Sequence, residues 1–170
     1  MAGVNPPRPL RASDDRSDFD CGREALNHWL RRHAQGNEKA FASRTYVLTA
    51  TDTGQIIGYV NLTAGQIERT VLAKSQQRNL PGPVPILLLG QLAIDKRHQG
   101  RGYRADLLRH ALRVAVKATE VIAFVGLITH PLDRYAGEFY LRYGFQQLPG
   151  DTKGALILRT KALLQGVGTS

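Results

Sequence analysis

Gln99-Gly100-Arg101-Gly102 is the stretch of this chain best suited to chemistry. The apolar run Leu92-Ala93-Ile94 leads to it through a short basic turn, Asp95-Lys96-Arg97-His98, and an amphipathic segment follows. Read as strand, loop and helix, the segment offers the unpaired backbone N–H groups of a helix start to a phosphate. Gly100 and Gly102 let that backbone approach a ligand closely, since neither carries a Cβ. The basic residues around them add favourable charge. The chemistry implied is a diphosphate cradle at the end of a strand. Two other phosphate loops do not fit. The P-loop spacing with Lys-Ser/Thr after its second glycine is missing, and Gly100-x-Gly102 lacks the third glycine of a dinucleotide-binding turn.

The elements that must position this loop follow from periodicity. Residues 86–94 predict a central strand, and Ala105, Leu108, Leu112 and Ala115 form the apolar face of the helix after the loop. Ahead of them, a Pro-rich opening (Pro6, Pro7, Pro9) is extended. Residues 21–37 predict a helix with Leu26, Trp29, Leu30 and His33 at helical spacing and Asp20 as N-cap. Residues 45–51 and 55–62 predict a hairpin around Asp52-Thr53-Gly54. Residues 74–85 are polar, then rich in Pro and Gly, a loop of the kind that shapes a substrate entrance. Further on, 121–129 predicts a second buried strand, with His130 at its end as a structural residue or a polar contact. Ala136, Phe139, Tyr140 and Tyr143 follow i, i+3, i+4, i+7, with Gly144 ending the helix. On that periodicity alone, Tyr140 faces the core. A last strand covers 155–159. The order implies a mixed α/β fold with a central sheet, and 170 residues suit a single domain with a real core.

Composition narrows the partners. The formal net charge of +9 exceeds what a ligand with a few phosphates requires; it is either a solvated basic surface with no partner or the footprint of a polyanion, which would be nucleic acid, an acidic protein or both. No helix-turn-helix, zinc-finger, RRM or KH pattern is present, so sequence-specific DNA reading is not expected. The one cysteine, Cys21, rules out an internal disulfide. It reads as a small buried group rather than a nucleophile. No apolar run approaches a membrane span, and the opening residues lack a signal-peptide core, so a cytoplasmic location is expected. No metal site is expected.

Gln99-Gly100-Arg101-Gly102 after a strand resembles the acetyl-CoA pyrophosphate loop of the GNAT acetyltransferases, Q/R-x-x-G-x-G/A. Phe139-Tyr140-Leu141-Arg142-Tyr143-Gly144-Phe145 resembles that family's late signature, F-Y-x-x-x-G-F. Phe19-Asp20-Cys21-Gly22 with Leu26-Asn27, and Ser43-Arg44-Thr45 with Val47, are similar to front-end phrases of the GNAT toxins of bacterial toxin–antitoxin modules. The motifs fall in the family's order over residues 18–158. One position departs: the sixth of the loop motif, Gly or Ala in the family, is Arg104, after a bulky Tyr103. Reading the motif from Arg97 satisfies the pattern but shifts it against the helix start. The Gln99 register is preferred because residues 105–108 then fall where the family's helix begins. In that register Arg104 either swings outward to a CoA phosphate or crowds the cradle.

The resemblance implies a GNAT fold, a central mixed, splayed β-sheet flanked by helices. Residues 1–17 are an N-terminal segment joining the sheet edge, 18–160 the acetyltransferase domain and 161–170 a tail. It implies acetyl-CoA as co-substrate. Backbone N–H groups of Leu92, Ala93 and Ile94 at a strand bulge meet the acetyl carbonyl, and Gln99, Gly100, Arg101, Gly102, Tyr103, Arg104 and Ala105 surround the diphosphate. Tyr140 takes the role of proton donor to the departing thiolate. The toxin resemblance implies acetylation of the α-amine of aminoacyl-tRNA, which blocks translation. It also implies a homodimer and a ribbon-helix-helix antitoxin through which alone DNA is reached. Arg31, Arg32, Lys39, Arg44, Lys74 and Arg78 are the candidates for gripping tRNA phosphates.

The residues bear on the choice of amine. A lysine amine, with a pKa of about 10.4, needs a base at neutral pH, whereas an α-amine near 8, and an aminoacyl ester's amine lower still, does not. The strand before the loop carries no Asp or Glu until Asp95, which suits the aminoacyl ester without deciding for it. Two alternatives stay open. One is acetylation of a protein N-terminus or a small amine, which should survive RNase and high salt. The other is a non-catalytic module whose cofactor site Arg104 has spoiled, which would not bind acetyl-CoA.

Overall fold

The computed structural model describes residues 3–167. In chain order the elements are β1 (Arg8–Pro9), α1 (Glu24–Arg32), α2 (Ala34–Lys39), β2 (Arg44–Thr49), β3 (Ile56–Ile67), β4 (Val84–Ile94), α3 (Tyr103–Ala118), β5 (Gly126–Thr129), α4 (Arg134–Arg142), β6 (Gln146–Gln147), β7 (Leu156–Arg159) and α5 (Thr160–Val167). The strands make one mixed sheet in the order β1-β2-β3-β4-β5-β7-β6. Pairing is parallel between β4 and β5 and antiparallel in β1–β2, β2–β3, β5–β7 and β6–β7. This is the α/β architecture the motif order implies. The described residues fall into two compact units, one of residues up to 63 with 90–113, the other of 64–89 with those from 114 on.

In the first unit, β2 and β3 form the expected hairpin, Val47 opposite Tyr59, and Arg8 of β1 lies opposite Val47 on its other side. The core centres on Tyr59. Its ring stacks on Trp29 at 5.8 Å and meets Phe19 edge-on at 5.6 Å. Its hydroxyl donates to the Leu26 carbonyl at 2.7 Å. Each such ring pair adds about 0.5–1.5 kcal/mol beyond burial, so the apolar face of α1 is fixed to the hairpin by aromatic contact. Burial pushes the Tyr59 phenol well above its ordinary pKa, so it stays protonated and able to donate.

The expected helix over 21–37 is broken and starts later. His33 leaves helical geometry (φ −118°) between α1 and α2, and the N-cap is Arg23, which makes no side-chain cap. Asp20 is not a cap. Its Oδ1 accepts from the Gly22 N–H and from Asn27, and its Oδ2 pairs with Lys96 at 2.9 Å.

The second unit packs Ile86, Ile128, Leu148 and Ile157 among others into its own core. Leu87, Leu88 and Leu89 of β4 pair with Leu127, Ile128 and Thr129. The buried strand expected over 121–129 is shorter than its apolar run. Val121 and Ile122 are 87% and 61% exposed and belong to the turns that close α3, where the Ile122 N–H still bonds the Ala118 carbonyl at 2.9 Å. A short apolar run carries no period to separate a helix end from a strand start.

Helix α4 is set at both ends by local chemistry. Asp133 caps it by accepting the Ala136 N–H at 2.8 Å. At the other end Gly144 takes φ +92°. The Gly144 N–H bonds the Leu141 carbonyl (3.2 Å) and the Phe145 N–H bonds the Tyr140 carbonyl (3.3 Å), the bond pair of a Schellman motif. Its customary apolar contact is the Tyr140–Phe145 ring pair, at 5.3 Å.

Candidate active site

β4 outruns its partner. The ladder with β5 ends at Leu89 and Thr129, while β4 continues to Ile94. On the β3 side a side chain replaces a rung. Asn61 Oδ1 accepts the Gln91 N–H at 2.8 Å and its amide donates to Gln91 Oε1. A Cβ on Gly90 would overlap Asn61, so glycine is required for this insertion. Interruptions of this kind re-aim a strand beside a site. They stand next to Leu92, half-buried, and to Ala93 and Ile94, both buried.

Asp95 opens the turn that follows and is wholly buried. It accepts the Arg97 N–H (2.9 Å), Arg97 Nε (2.9 Å), Arg97 Nη2 (3.0 Å) and the Asp20 N–H (3.1 Å). Burial alone would raise its pKa. The bonds from the Arg97 side chain and from the two backbone N–H groups outweigh that and hold it below the usual carboxylate range. All its accepting capacity is engaged inside the protein, so the one carboxylate at the end of β4 is a structural anchor and not a base.

Gln99 has a role its sequence position did not reveal. Its side-chain amide donates to the carbonyls of Ile94 (2.9 Å) and Cys21 (3.1 Å), so the side chain fastens the loop and leaves the backbone to a ligand. Gly100 and Gly102 sit at φ +78° and +85°, with no atom within 4 Å of where a Cβ would stand. They are needed for conformation, and the space beside them is open. Helix α3 starts at Tyr103, ahead of the expected start near Ala105. The Asp106 N–H reaches back to the Gly102 carbonyl at 3.3 Å, so residues 103 to 105 form the first turn, the part of a helix that points its N–H groups at a ligand. Open glycines, first-turn N–H groups and the exposed Arg101 fit a diphosphate. Arg104 lies half-buried on that first turn. Because an L-residue at positive φ costs about 1–2 kcal/mol, Gly102→Ala should lower stability by that amount and weaken acetyl-CoA binding about tenfold, measured by thermal melting and calorimetry.

The remaining candidates divide between the units. Leu92 to Ala105 are gathered in the first. Tyr140 lies in the second, 5% exposed, its ring met edge-on by Phe139 and Phe145 at 5.3 Å each. His130, after β5, is exposed. Among the basic candidates, Arg31 is half-buried and donates to the Phe19 carbonyl (3.0 Å) and Glu24 (3.4 Å). Arg44 pairs with Glu38 at 2.8 Å and covers the Phe41 ring. Arg32, Lys39, Lys74 and Arg78 are exposed. Cys21 is half-buried, and burial raises its thiol pKa, which keeps it protonated and unreactive at neutral pH.

Residues 43–147 match the acetyltransferase (GNAT) domain family. The chain belongs to the GNAT acetyltransferases. The match takes in β2 to β6, with the loop, both glycines and the Tyr140 helix. The tRNA-acetylating toxin of Mycobacterium tuberculosis is 33% identical to this GNAT chain, over 95% of it and 96% of the relative. AtaT in complex with acetyl-methionyl-tRNAfMet superposes with a TM-score of 0.88 at 34% identity, covering 97% of this chain and 99% of that one. AtaTR bound with AcCoA gives 0.83 at 34% identity, covering 96% and 98%. The GNAT domain makes this an acetyl-CoA-dependent N-acetyltransferase. Among the described residues, no helix is long and apolar enough to cross a membrane.

Proposed function

We propose that this enzyme moves acetyl from acetyl-CoA to the α-amine of the amino acid on charged tRNA and so arrests translation. The observation that carries the reading is the end-to-end similarity to a tRNA-acetylating toxin, 95% of one chain against 96% of the other. The chemistry of the strand end agrees with it. With Asp95 committed to Arg97 and Asp20, the one carboxylate that follows β4 in sequence is unavailable to deprotonate a lysine, while an aminoacyl ester's amine reaches the site largely neutral.

Acetyl-CoA supplies an activated acyl group: the amine nitrogen forms the new C–N bond as the C–S bond breaks, and the amine proton passes to water. The residues of this chain do the rest. Gly100, Gly102 and the N–H groups of Tyr103, Arg104 and Ala105 hold the diphosphate. Backbone N–H groups around Leu92–Ile94 stabilise the developing oxyanion, and the Tyr140 phenol protonates the departing thiolate and regains its proton from the water that took up the amine's. Arg32, Lys39, Lys74 and Arg78 are the better phosphate contacts, since Arg31 and Arg44 already have acidic partners. A ribbon-helix-helix antitoxin with an acidic or amphipathic tail, a homodimeric enzyme and a cytoplasmic location complete the reading.

Cell-free translation tests it. The purified protein should stop synthesis only when acetyl-CoA is present, and fresh charged tRNA should restore it. Undisturbed translation by protein that still binds acetyl-CoA would overturn the substrate assignment and leave protein N-termini or small amines.

A further inference from the structure

The front segment 18–22 is bound to the turn that delivers the loop. The Asp20 N–H donates to Asp95 Oδ2 at 3.1 Å, and the Asp20 carbonyl accepts the Lys96 N–H at 2.8 Å. Asp20 Oδ2 pairs with Lys96 Nζ at 2.9 Å. On either side, the Asp18 carbonyl receives Arg97 Nη2 (3.4 Å) and the Cys21 carbonyl receives Gln99 Nε2 (3.1 Å). The segment is itself held in shape by Asn27, 2% exposed, which accepts the Cys21 N–H at 2.8 Å and donates to Asp20 Oδ1 at 3.0 Å. Each residue of the turn from Asp95 to Arg97, and Gln99 after it, is therefore tied to a segment more than seventy positions earlier.

We infer that Asp20 is a positioning residue for acetyl-CoA. It clamps the 95–99 turn and so presets the backbone of residues 100–103 before the ligand arrives. The inference rests on reading that loop as the diphosphate cradle. It concerns a residue that need not touch the ligand, and its sign is opposite to that of plain electrostatics. Asp20 is an anion close to a site for a polyanion, so removing its charge should tighten binding if charge were all that mattered. A preset loop predicts the reverse, because the ligand must then pay the entropy of ordering the backbone.

The experiment compares wild type, Asp20→Asn, Lys96→Gln and the double variant. Asp20→Asn is nearly isosteric, keeps an oxygen for Gly22 and Asn27, and sits where the side chain is 43% exposed, so the protein should fold. Its calorimetric Kd for acetyl-CoA should rise about tenfold. KM for acetyl-CoA should rise equally while kcat at saturation is retained. In ligand-free protein the amides of residues 100–103 should exchange about tenfold faster. The double variant should bind no more weakly than Asp20→Asn alone. Equal or tighter acetyl-CoA binding by Asp20→Asn, with unchanged exchange, overturns the inference and makes Lys96 a simple phosphate contact. Wild-type protein that binds no acetyl-CoA would instead overturn the cradle itself, a failure visible before any variant is compared.

Discussion

Tyr140→Phe should cut the rate of acetyl transfer about 10²- to 10⁴-fold, the span of a general acid's contribution, while leaving the melting temperature and acetyl-CoA affinity near those of wild type. The substitution removes one oxygen and keeps the ring. Phe139 and Phe145 meet it edge-on at 5.3 Å, and both contacts survive in phenylalanine. The backbone at Tyr140 is held from the other end of the Schellman motif, through the bond from the Phe145 N–H. That bond depends on Gly144 taking φ +92°. Fold and phenol can therefore be separated. Gly144→Ala should lower stability and activity together, because it disturbs the frame. Tyr140→Phe should lower kcat alone, because without a phenolic proton the thiolate must leave unprotonated. Single-turnover kinetics with charged tRNA gives the comparison. A rate within about twofold of wild type would remove Tyr140 from the chemistry and return it to the core role that its helical spacing also permits.

The signature around Tyr140 was legible because its structure is local. A helix stop, a left-handed glycine and an aromatic five positions from its partner are all written within seven residues. The Gln99–Gly102 loop was legible for the same reason: glycines at positive φ between a strand and a helix are a short-range requirement. What escaped was the long-range chemistry. Asp20 looked like a helix cap, since Asp before an amphipathic run usually is one. Its partner Lys96 lies across the fold, and nothing in either segment names the other. Asp95 looked like the nearest acid to the site, and only its burial with Arg97 shows it to be unavailable. Gln99 read as a ligand contact, yet its side chain bonds the Ile94 and Cys21 carbonyls. Val121 and Ile122 were drawn into a strand by hydrophobicity alone, and they lie exposed at a helix end. β6 is two residues long and α5 follows β7 without a turn, so neither announces itself by period or punctuation.

The largest loss of stability is expected from Asp95→Ala. The carboxylate is fully buried and takes four donors, two of them backbone N–H groups of Arg97 and Asp20. The Arg97 guanidinium is half-exposed and can return to water. The two N–H groups have no substitute acceptor, and leaving them unpaired should cost about 3 kcal/mol, or on the order of 10 °C in melting temperature for a chain of this size. Asp95→Asn keeps one acceptor oxygen and the volume but loses the charge-assisted bonds, and should fall between the two. The effect carries a pH signature. The folded-state pKa of Asp95 lies below the unfolded value of about 3.9, so its contribution is complete above that value and is lost as pH falls through the folded one. The gap in stability between wild type and Asp95→Asn should therefore stay constant from neutral pH down to about 5 and close below about 4. Denaturant unfolding across that range measures it. A gap that persists undiminished as wild type approaches its acid transition would mean that the charge of Asp95 contributes nothing, and that shape alone holds the turn that leads into the glycine loop.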